Sequence, residues 1–246
     1  MTAPVTQHQT EIEQNLRSWK AKPLLQDIYA EFYRLILGLI DPGIPGKIVE
    51  VGSGIGNLKA HLPQALTTDL FPNPWLDLVC NAYELPFTEG SLSHVVLFDV
   101  FHHLRAPGAF LREARRALAP SGRIILFEPY ISLFSYPVYG VMHHEPVGWR
   151  RPINLDEVVP PSDYYAAQGN ATRLFFRKEV PGWPQGWQIF HAEAFSCFHY
   201  LLSGGYSKPA FYPARLLNSL RRIDARLSRW PLLFGGRCLI GLRPVA

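Results

Sequence analysis

Apolar residues recur at Leu24, Leu25, Ile28, Phe32, Leu35 and Ile36. That spacing is close to the helical period and predicts helix across residues 9–40. Asp41-Pro42-Gly43 follows, a run of strong helix breakers. Beyond it the period shortens, and brief apolar runs alternate with helical stretches. Ile48–Val51, Leu66–Asp69, Leu76–Cys80, Val95–Asp99 and Ile124–Phe127 read as strands. Between the last two, Pro107 to Leu118 reads as a helix with Phe110, Leu111, Ala114 and Leu118 on one face. Arg112, Glu113, Arg115 and Arg116 lie away from that face, and Pro120-Ser121-Gly122 closes the helix. Alternating strands and helices predict an α/β fold, a parallel sheet with helices on both faces. Right-handed crossovers then bring the C-terminal ends of the strands to one rim, where open α/β sheets bind ligands.

The pattern breaks over residues 131–190. Pro137, Pro146, Pro152, Pro160, Pro161, Pro181 and Pro184 stand there among many aromatics and without a clear period. A long irregular stretch rich in aromatics reads as a lid or substrate region rather than as disorder. Order returns after it. Leu216, Leu220, Ile223, Leu227 and Trp230 form an apolar stripe over residues 214–230, with Arg215, Arg222, Arg226 and Arg229 on another face. Cys238–Leu242 reads as a final strand. The expected organisation is one domain over 1–246: N-terminal helices (1–46), a ligand-binding core (47–130), an insert (131–190), and C-terminal strands with a basic amphipathic helix (191–246).

Composition narrows this picture. Apolar residues make up 48% of the 246-residue chain, enough for a buried core. Cys80, Cys197 and Cys238 are odd in number and widely spaced, which argues against a disulfide framework and a zinc site and makes a reducing cytoplasm the expected location. The polar first twenty residues do not resemble a secretory signal. The net charge of +4 is unevenly placed. Residues 1–130 hold 11 Lys+Arg against 13 Asp+Glu, and residues 131–246 hold 13 against 7. The second half therefore carries the excess positive charge, a solvated basic face or an attraction to an anionic substrate or membrane surface.

The most informative chemistry lies in Val49-Glu50-Val51-Gly52-Ser53-Gly54-Ile55-Gly56-Asn57. A strand that ends in alternating glycines lets the backbone approach a ligand, and a helix expected behind it would offer unpaired N–H groups. A dinucleotide fingerprint has a glycine where this chain has Asn57. With Glu50 two residues ahead of the first glycine, the turn suits a nucleoside with a cationic amino-acid tail better than a pyrophosphate. Asp69, seventeen residues after Gly52, ends the second strand, where an acid accepts hydrogen bonds from both ribose hydroxyls.

The segments E-V-G-S-G-I-G, N-A-Y-E-L-P-F from Asn81, D-V-F-H-H-L from Asp99 and P-S-G-R-I-I-L-F-E-P from Pro120, together with Asp69, resemble class I S-adenosylmethionine (SAM) dependent methyltransferases of the small-molecule type over about residues 45–130. The resemblance implies a Rossmann-like, doubly wound sheet of about seven strands, mostly parallel, with an antiparallel last strand supplied by Cys238–Leu242. It implies SAM as cofactor. Glu50 would meet its amino group, Gly52, Ser53 and Gly54 its methionine and ribose portion, and Asp69 its ribose hydroxyls. Asn81 and Ala82 would sit at the adenine edge, where the family more often has Asp-Ala, and Asp99 would face the methionine end.

Candidate bases are His102, His103, His143, His144 and Glu145. His102 and His103 follow the fourth strand and read as structural. His143, His144 and Glu145 lie in the insert, nearer the presumed acceptor, as a base with a carboxylate orienter. Consecutive residues do not readily converge on one ion, so a metal is not expected there. The expected function is methyl transfer to a small-molecule, lipid-linked or saccharide-linked acceptor. The alternatives are a non-catalytic module binding SAM or S-adenosylhomocysteine, and a nicotinamide oxidoreductase. Nucleic acid is not an expected partner. The helix over 214–230 is a candidate for peripheral membrane contact.

Overall fold

The computed structural model describes residues 3–142, 148–149, 152–158 and 168–245. Two helices, α1 (Ala3–Ala21) and α2 (Pro23–Leu37), lead into the strands β1 (Lys47–Val51), β2 (Leu66–Asp69), β3 (Leu78–Val79) and β4 (Leu92–Phe98). Helix α3 (Pro107–Ala117), strand β5 (Leu118–Pro129), strand β6 (Trp187–Ser196), the short helix α4 (Phe198–Leu201), helix α5 (Leu217–Leu227), the short helix α6 (Pro231–Phe234) and strand β7 (Gly235–Pro244) follow. All seven strands form one sheet in the order β3-β2-β1-β4-β5-β7-β6. Strands β1 to β5 pair in parallel, and β7 runs antiparallel to both β5 and β6. The expected mostly parallel, doubly wound sheet with an antiparallel last strand is therefore what the chain forms.

Strand alternation sorts the core into two layers, because successive side chains point to opposite faces. Val49, Val51, Val95, Leu97, Ile124 and Leu126 pack with Phe110, Leu111 and Ala114 of α3. Ile48, Val96, Ile125 and Phe127 pack on the other face with Leu25, Ile28, Phe32 and Ile36 of α2.

The elements differ from the sequence expectation in places that have physical reasons. The single helix expected over 9–40 is two helices, parted at Lys22 (φ −123°, ψ 84°). The residue before a proline is driven out of the helical region, and Pro23 follows. Behind the glycine turn stands a four-residue 3-10 turn, Asn57–Ala60, rather than an α-helix. Strand β5 begins at Leu118 and takes in Pro120-Ser121-Gly122, which had read as a closing turn. Strand β6 went unread because it lies at the sheet edge and mixes polar with apolar residues. Part of the irregular stretch packs inward: Ala171, Leu174 and Phe175, on a π-helical turn, join the α3-side core. The basic helix turns part of its predicted apolar stripe outward, with Leu220 and Leu227 half-buried. Its buried residues are Leu217 and Asp224, while Leu216, Ile223 and Trp230 are exposed. Among the described residues no helix is long and apolar enough to cross a membrane.

Phe32 is 1% exposed, with its ring centroid 4.8 Å from that of Phe127 and 5.6 Å from that of Tyr200. Replacing it with Ala leaves a cavity between α2 and the sheet. Chemical denaturation is expected to show a loss of about 3–5 kcal/mol, with little change in the slope against denaturant.

Candidate active site

Strand β1 delivers Glu50 and then the glycine turn to the rim of the sheet. Gly52 has φ +75°, and a Cβ built there would run into the Val100 side chain. Gly54 has φ +53°, and a Cβ built there would only touch Ile12 at 3.9 Å, so its requirement is conformational rather than steric. The turn is stitched to β2. Ser53 N donates to Thr68 O at 2.8 Å, Thr68 N donates to Ser53 Oγ at 3.1 Å, and Gly54 N donates to Asp69 Oδ2 at 3.0 Å. Leu70 N donates to Asp69 Oδ1 at 2.7 Å. Backbone N–H groups thus hold both carboxylate oxygens of Asp69 in place at the turn.

Two acids therefore flank the glycine turn in a buried setting. Glu50 is 3% exposed, and its Oε2 has no hydrogen-bond partner. Burial pushes its carboxyl up to about 8. Burial also pushes Asp69 up, opposed by the imidazole of His8 and the N–H groups of Gly54, Leu70 and Phe71. His8 Nε2 lies 3.9 Å from Asp69 Oδ1, and its ring sits 5.1 Å from that of Phe71. Helix α1 thereby covers the Asp69 side of the site.

A second set of residues comes from the ends of β4, β5 and β7. Asp99 takes a positive φ of 58° at the end of β4, while its N–H donates to Phe127 O at 2.9 Å. Glu128 is fully buried on β5. Its Oε1 accepts the N–H groups of Val100 and Phe101 at 2.9 and 2.7 Å, and its Oε2 accepts the N–H of His102 at 3.2 Å. His102 Nδ1 lies 2.6 Å from the same Oε2. A carboxylate only accepts, so Nδ1 carries the proton and the basic lone pair lies on Nε2. Arg237, on β7 and 1% exposed, pairs with Asp99 and sits 4.5 Å from the Tyr200 ring. Burial opposes its charge, and the Asp99 carboxylate together with Tyr139, Tyr200 and Tyr29 more than offsets that.

One cavity of about 690 Å³ joins the two sets. Glu50, Gly52, Ser53, Gly54, Asp69 and Asp99 all line it, as do His102, His103 and Arg237. Six of the sequence-expected ligand contacts are thus brought together. Asn81 and Ala82 do not line this cavity. Asn81 Oδ1 instead accepts the Tyr83 N–H at 3.0 Å, a local turn. His143, His144 and Glu145 lie outside the described residues. His102, read as structural, lines the cavity and has the Glu128 carboxylate behind it.

Sequence reasoning passed over Glu128 and Arg237. Each left a signal: a charge at the end of the apolar run Ile124–Phe127, and another at the start of Cys238–Leu242. Asp99, His102 and Glu128 each offer an atom within 4.8 Å of the others. Their donors are already engaged, Glu128 by three N–H groups and the imidazole and Asp99 by a guanidinium. The cluster therefore reads as a hydrogen-bonded network rather than a cation site.

Residues 49–126 match the family model described as a methyltransferase domain. This match bears out the resemblance of that segment to class I methyltransferases. No curated protein matches the chain. Among solved structures, a chain of the complex between the Haloferax volcanii Trm112 methyltransferase activator and a methyltransferase is similar at 18% identity, with 87% of this chain and 88% of that one covered and a TM-score of 0.49. A SAM dependent methyltransferase from Archaeoglobus fulgidus aligns at 14% identity, 90% and 94% coverage and a TM-score of 0.47. Geranyl diphosphate C-methyltransferase from Streptomyces coelicolor A3(2) aligns at 14% identity, 89% and 82% coverage and a TM-score of 0.45. Likeness at this level carries no argument about what this chain binds.

The raised Glu50 carboxyl makes a signed prediction. The folded state holds this proton more tightly than the unfolded chain does, so the ligand-free protein loses stability as pH rises from about 4.5 towards about 8. Glu50→Gln removes that dependence. Urea denaturation at intervals across this window is expected to show wild type falling by a few kcal/mol relative to the variant, on the order set by the shift. Parallel curves for the two proteins would refute the assignment.

Proposed function

We propose that the chain is a SAM-dependent methyltransferase, acting on a small-molecule or amphiphilic acceptor. The observation that carries this reading is Glu50 Oε2, buried without a partner, on the same cavity as the glycine turn and Asp69. A buried carboxylate costs folding energy unless something cationic pairs with it. The ammonium of an amino-acid tail is such a partner. Asp69 has acceptor capacity for a vicinal diol, and the bare turn between the two acids admits the connecting portion of the molecule. When bound, SAM supplies an electrophilic methyl group on sulfur, and the protein's part is alignment, dehydration and a competent acceptor.

The remaining cavity, beyond Asp99, is the acceptor side of this reading. His102 accepts the proton of a hydroxyl or amine acceptor at Nε2. Glu128 holds the ring in orientation and stabilises the imidazolium that results, acting through His102 rather than on the acceptor. The Asp99–Arg237 pair fixes the wall opposite. His143, His144 and Glu145 stay as proposed contributors from the insert.

Asn57 and the four-residue turn behind Gly56 disfavour a nicotinamide dinucleotide, which needs a helix N-terminus at that place. A non-catalytic SAM-binding module remains the second reading. The bonded His102–Glu128 pair on the cavity favours catalysis over it. A reducing cytoplasm, inferred from three unpaired cysteines, is the proposed location.

Calorimetry is expected to show binding of SAM and S-adenosylhomocysteine but not NAD, with Asp69→Ala weakening both about tenfold or more, as expected for losing a charged hydrogen-bond acceptor. Absence of SAM binding at millimolar concentration would end the reading. For an acceptor that must lose a proton, His102→Ala is expected to lower kcat by about 10²–10⁴, with SAM affinity unchanged and the acidic limb of the pH–rate profile abolished. Unchanged turnover would remove His102 from the mechanism.

A further inference from the structure

Part of the predicted apolar stripe of the basic helix and the outer lip of the cavity share one property: both are apolar and exposed. On α5 and its flanks Leu216, Ile223 and Trp230 are 44%, 47% and 55% exposed. The chain then runs directly into Leu232 and Leu233, which are 72% and 42% exposed. The backbone of these two leucines accepts the N–H groups of Leu133 and Phe134 at 3.1 and 3.0 Å. Leu133 and Phe134 are themselves 65% and 51% exposed. Phe134 stacks on Phe234 at 5.0 Å and also lines the cavity. The exposed strip therefore continues into the cavity mouth. Phe211, 71% exposed, and Leu202 stand at the same mouth.

Large apolar side chains do not gather on a water-facing surface without something to cover them. The charges beside them say what covers these. At about 100° per residue, the core-facing residues Leu217 and Asp224, the exposed apolar stripe and the arginines occupy three separate sectors of the helix. Arg222, Arg226 and Arg229 are exposed, as is Arg215 just ahead of the helix, and none of the four has an ion-pair partner among the described residues. Arg221 is different: it is spent on Glu31 of α2 at 2.6 Å. An apolar strip bordered by unpaired arginines is complementary to a surface that offers acyl chains below and negative headgroups above.

We propose that this face docks on an anionic lipid bilayer, with Trp230, Leu232, Leu233 and Phe134 entering the headgroup boundary and the arginines of the basic helix meeting anionic headgroups. The cavity mouth then opens onto the bilayer. The acceptor is accordingly an amphiphile that reaches the site from the membrane by its polar end. This last step rests on the methyltransferase reading, whereas the docking itself does not.

The test floats the full chain with vesicles of phosphatidylcholine alone and of phosphatidylcholine with phosphatidylserine, at low and high salt, while calorimetry follows SAM binding separately. The expected result is partition onto the anionic vesicles, weakened by salt and falling about fivefold for each arginine removed in Arg222→Ala and Arg226→Ala. Leu232→Glu with Leu233→Glu, both on exposed sites, is expected to abolish it while leaving SAM affinity and melting temperature unchanged. Failure to float, equal partition onto neutral vesicles, or retention of binding by the leucine variant would overturn the proposal. So would a concentration-dependent dimer that the leucine variant abolishes, which would assign the strip to a second copy of the chain. Loss of SAM binding with docking intact would overturn the cofactor reading alone.

Discussion

The buried carboxylate of Glu128 holds the functional rim together. The chain leaving β4 has to turn away from the sheet, and the first N–H groups of that turn, at Val100, Phe101 and His102, have no strand to bond. Glu128 satisfies all three from the neighbouring strand and takes the His102 imidazole as well. Without it the buried N–H of Phe101 would be left unpaired, at a cost of about 1–3 kcal/mol, and the half-buried N–H groups of Val100 and His102 would lose their partner. With it, the loop after β4 is fixed against β5, and Asp99 and His102 are held at the cavity. Asp99 sits at a positive φ that a non-glycine residue adopts only when its surroundings insist, and the bond from its own N–H to Phe127 O and the pairing with Arg237 supply that insistence.

The same device recurs elsewhere in the chain. Asp224 of α5 accepts the Ser196 hydroxyl at 2.5 Å, the N–H groups of Phe198 and His199 at 2.8 and 3.0 Å, and His199 Nδ1 at 2.6 Å. Burial pushes this carboxyl up, but the bonds from His199 and Ser196 more than offset it and hold it below its usual range. In both places one acid caps a short helical turn and fixes a histidine. One copy braces the ligand cavity, and the other anchors the basic helix beside it.

Much of this was legible in the chain because it follows from period and spacing. β1, β2, β4 and α3 are signalled by apolar runs whose alternation matches the two faces of the sheet, and Glu50, the glycine turn and Asp69 converge because strand ends in a parallel sheet share a rim. What was not legible depends on partners distant in sequence. Leu216, Ile223 and Trp230 form a regular stripe, yet regularity does not say whether a stripe faces a core or a surface. Asp224, a charged residue on the inner side, took the core-facing place, and only the fold supplies its partners. Arg237, just ahead of the apolar run Cys238–Leu242, shows its role only when Asp99 is seen beside it. Asn81 lies off the cavity and spends its carbonyl on its own turn.

The reversed direction of β7 has a consequence for how such a protein can change. Because it runs against its neighbours, its first residues, not its last, lie level with the ends of β4 and β5: Arg237 pairs with Pro129 and Leu242 with Ile124. The polypeptide between β6 and β7 is therefore delivered to the same edge as the loop that follows β5. Two stretches of sequence, one after Pro129 and one before Gly235, meet at that edge, while residues 47–129 carry Glu50, the glycine turn and Asp69. Substitution or lengthening in either stretch can reshape that side of the cavity without disturbing the glycine turn and its two acids, so the two sides can evolve on separate parts of one chain.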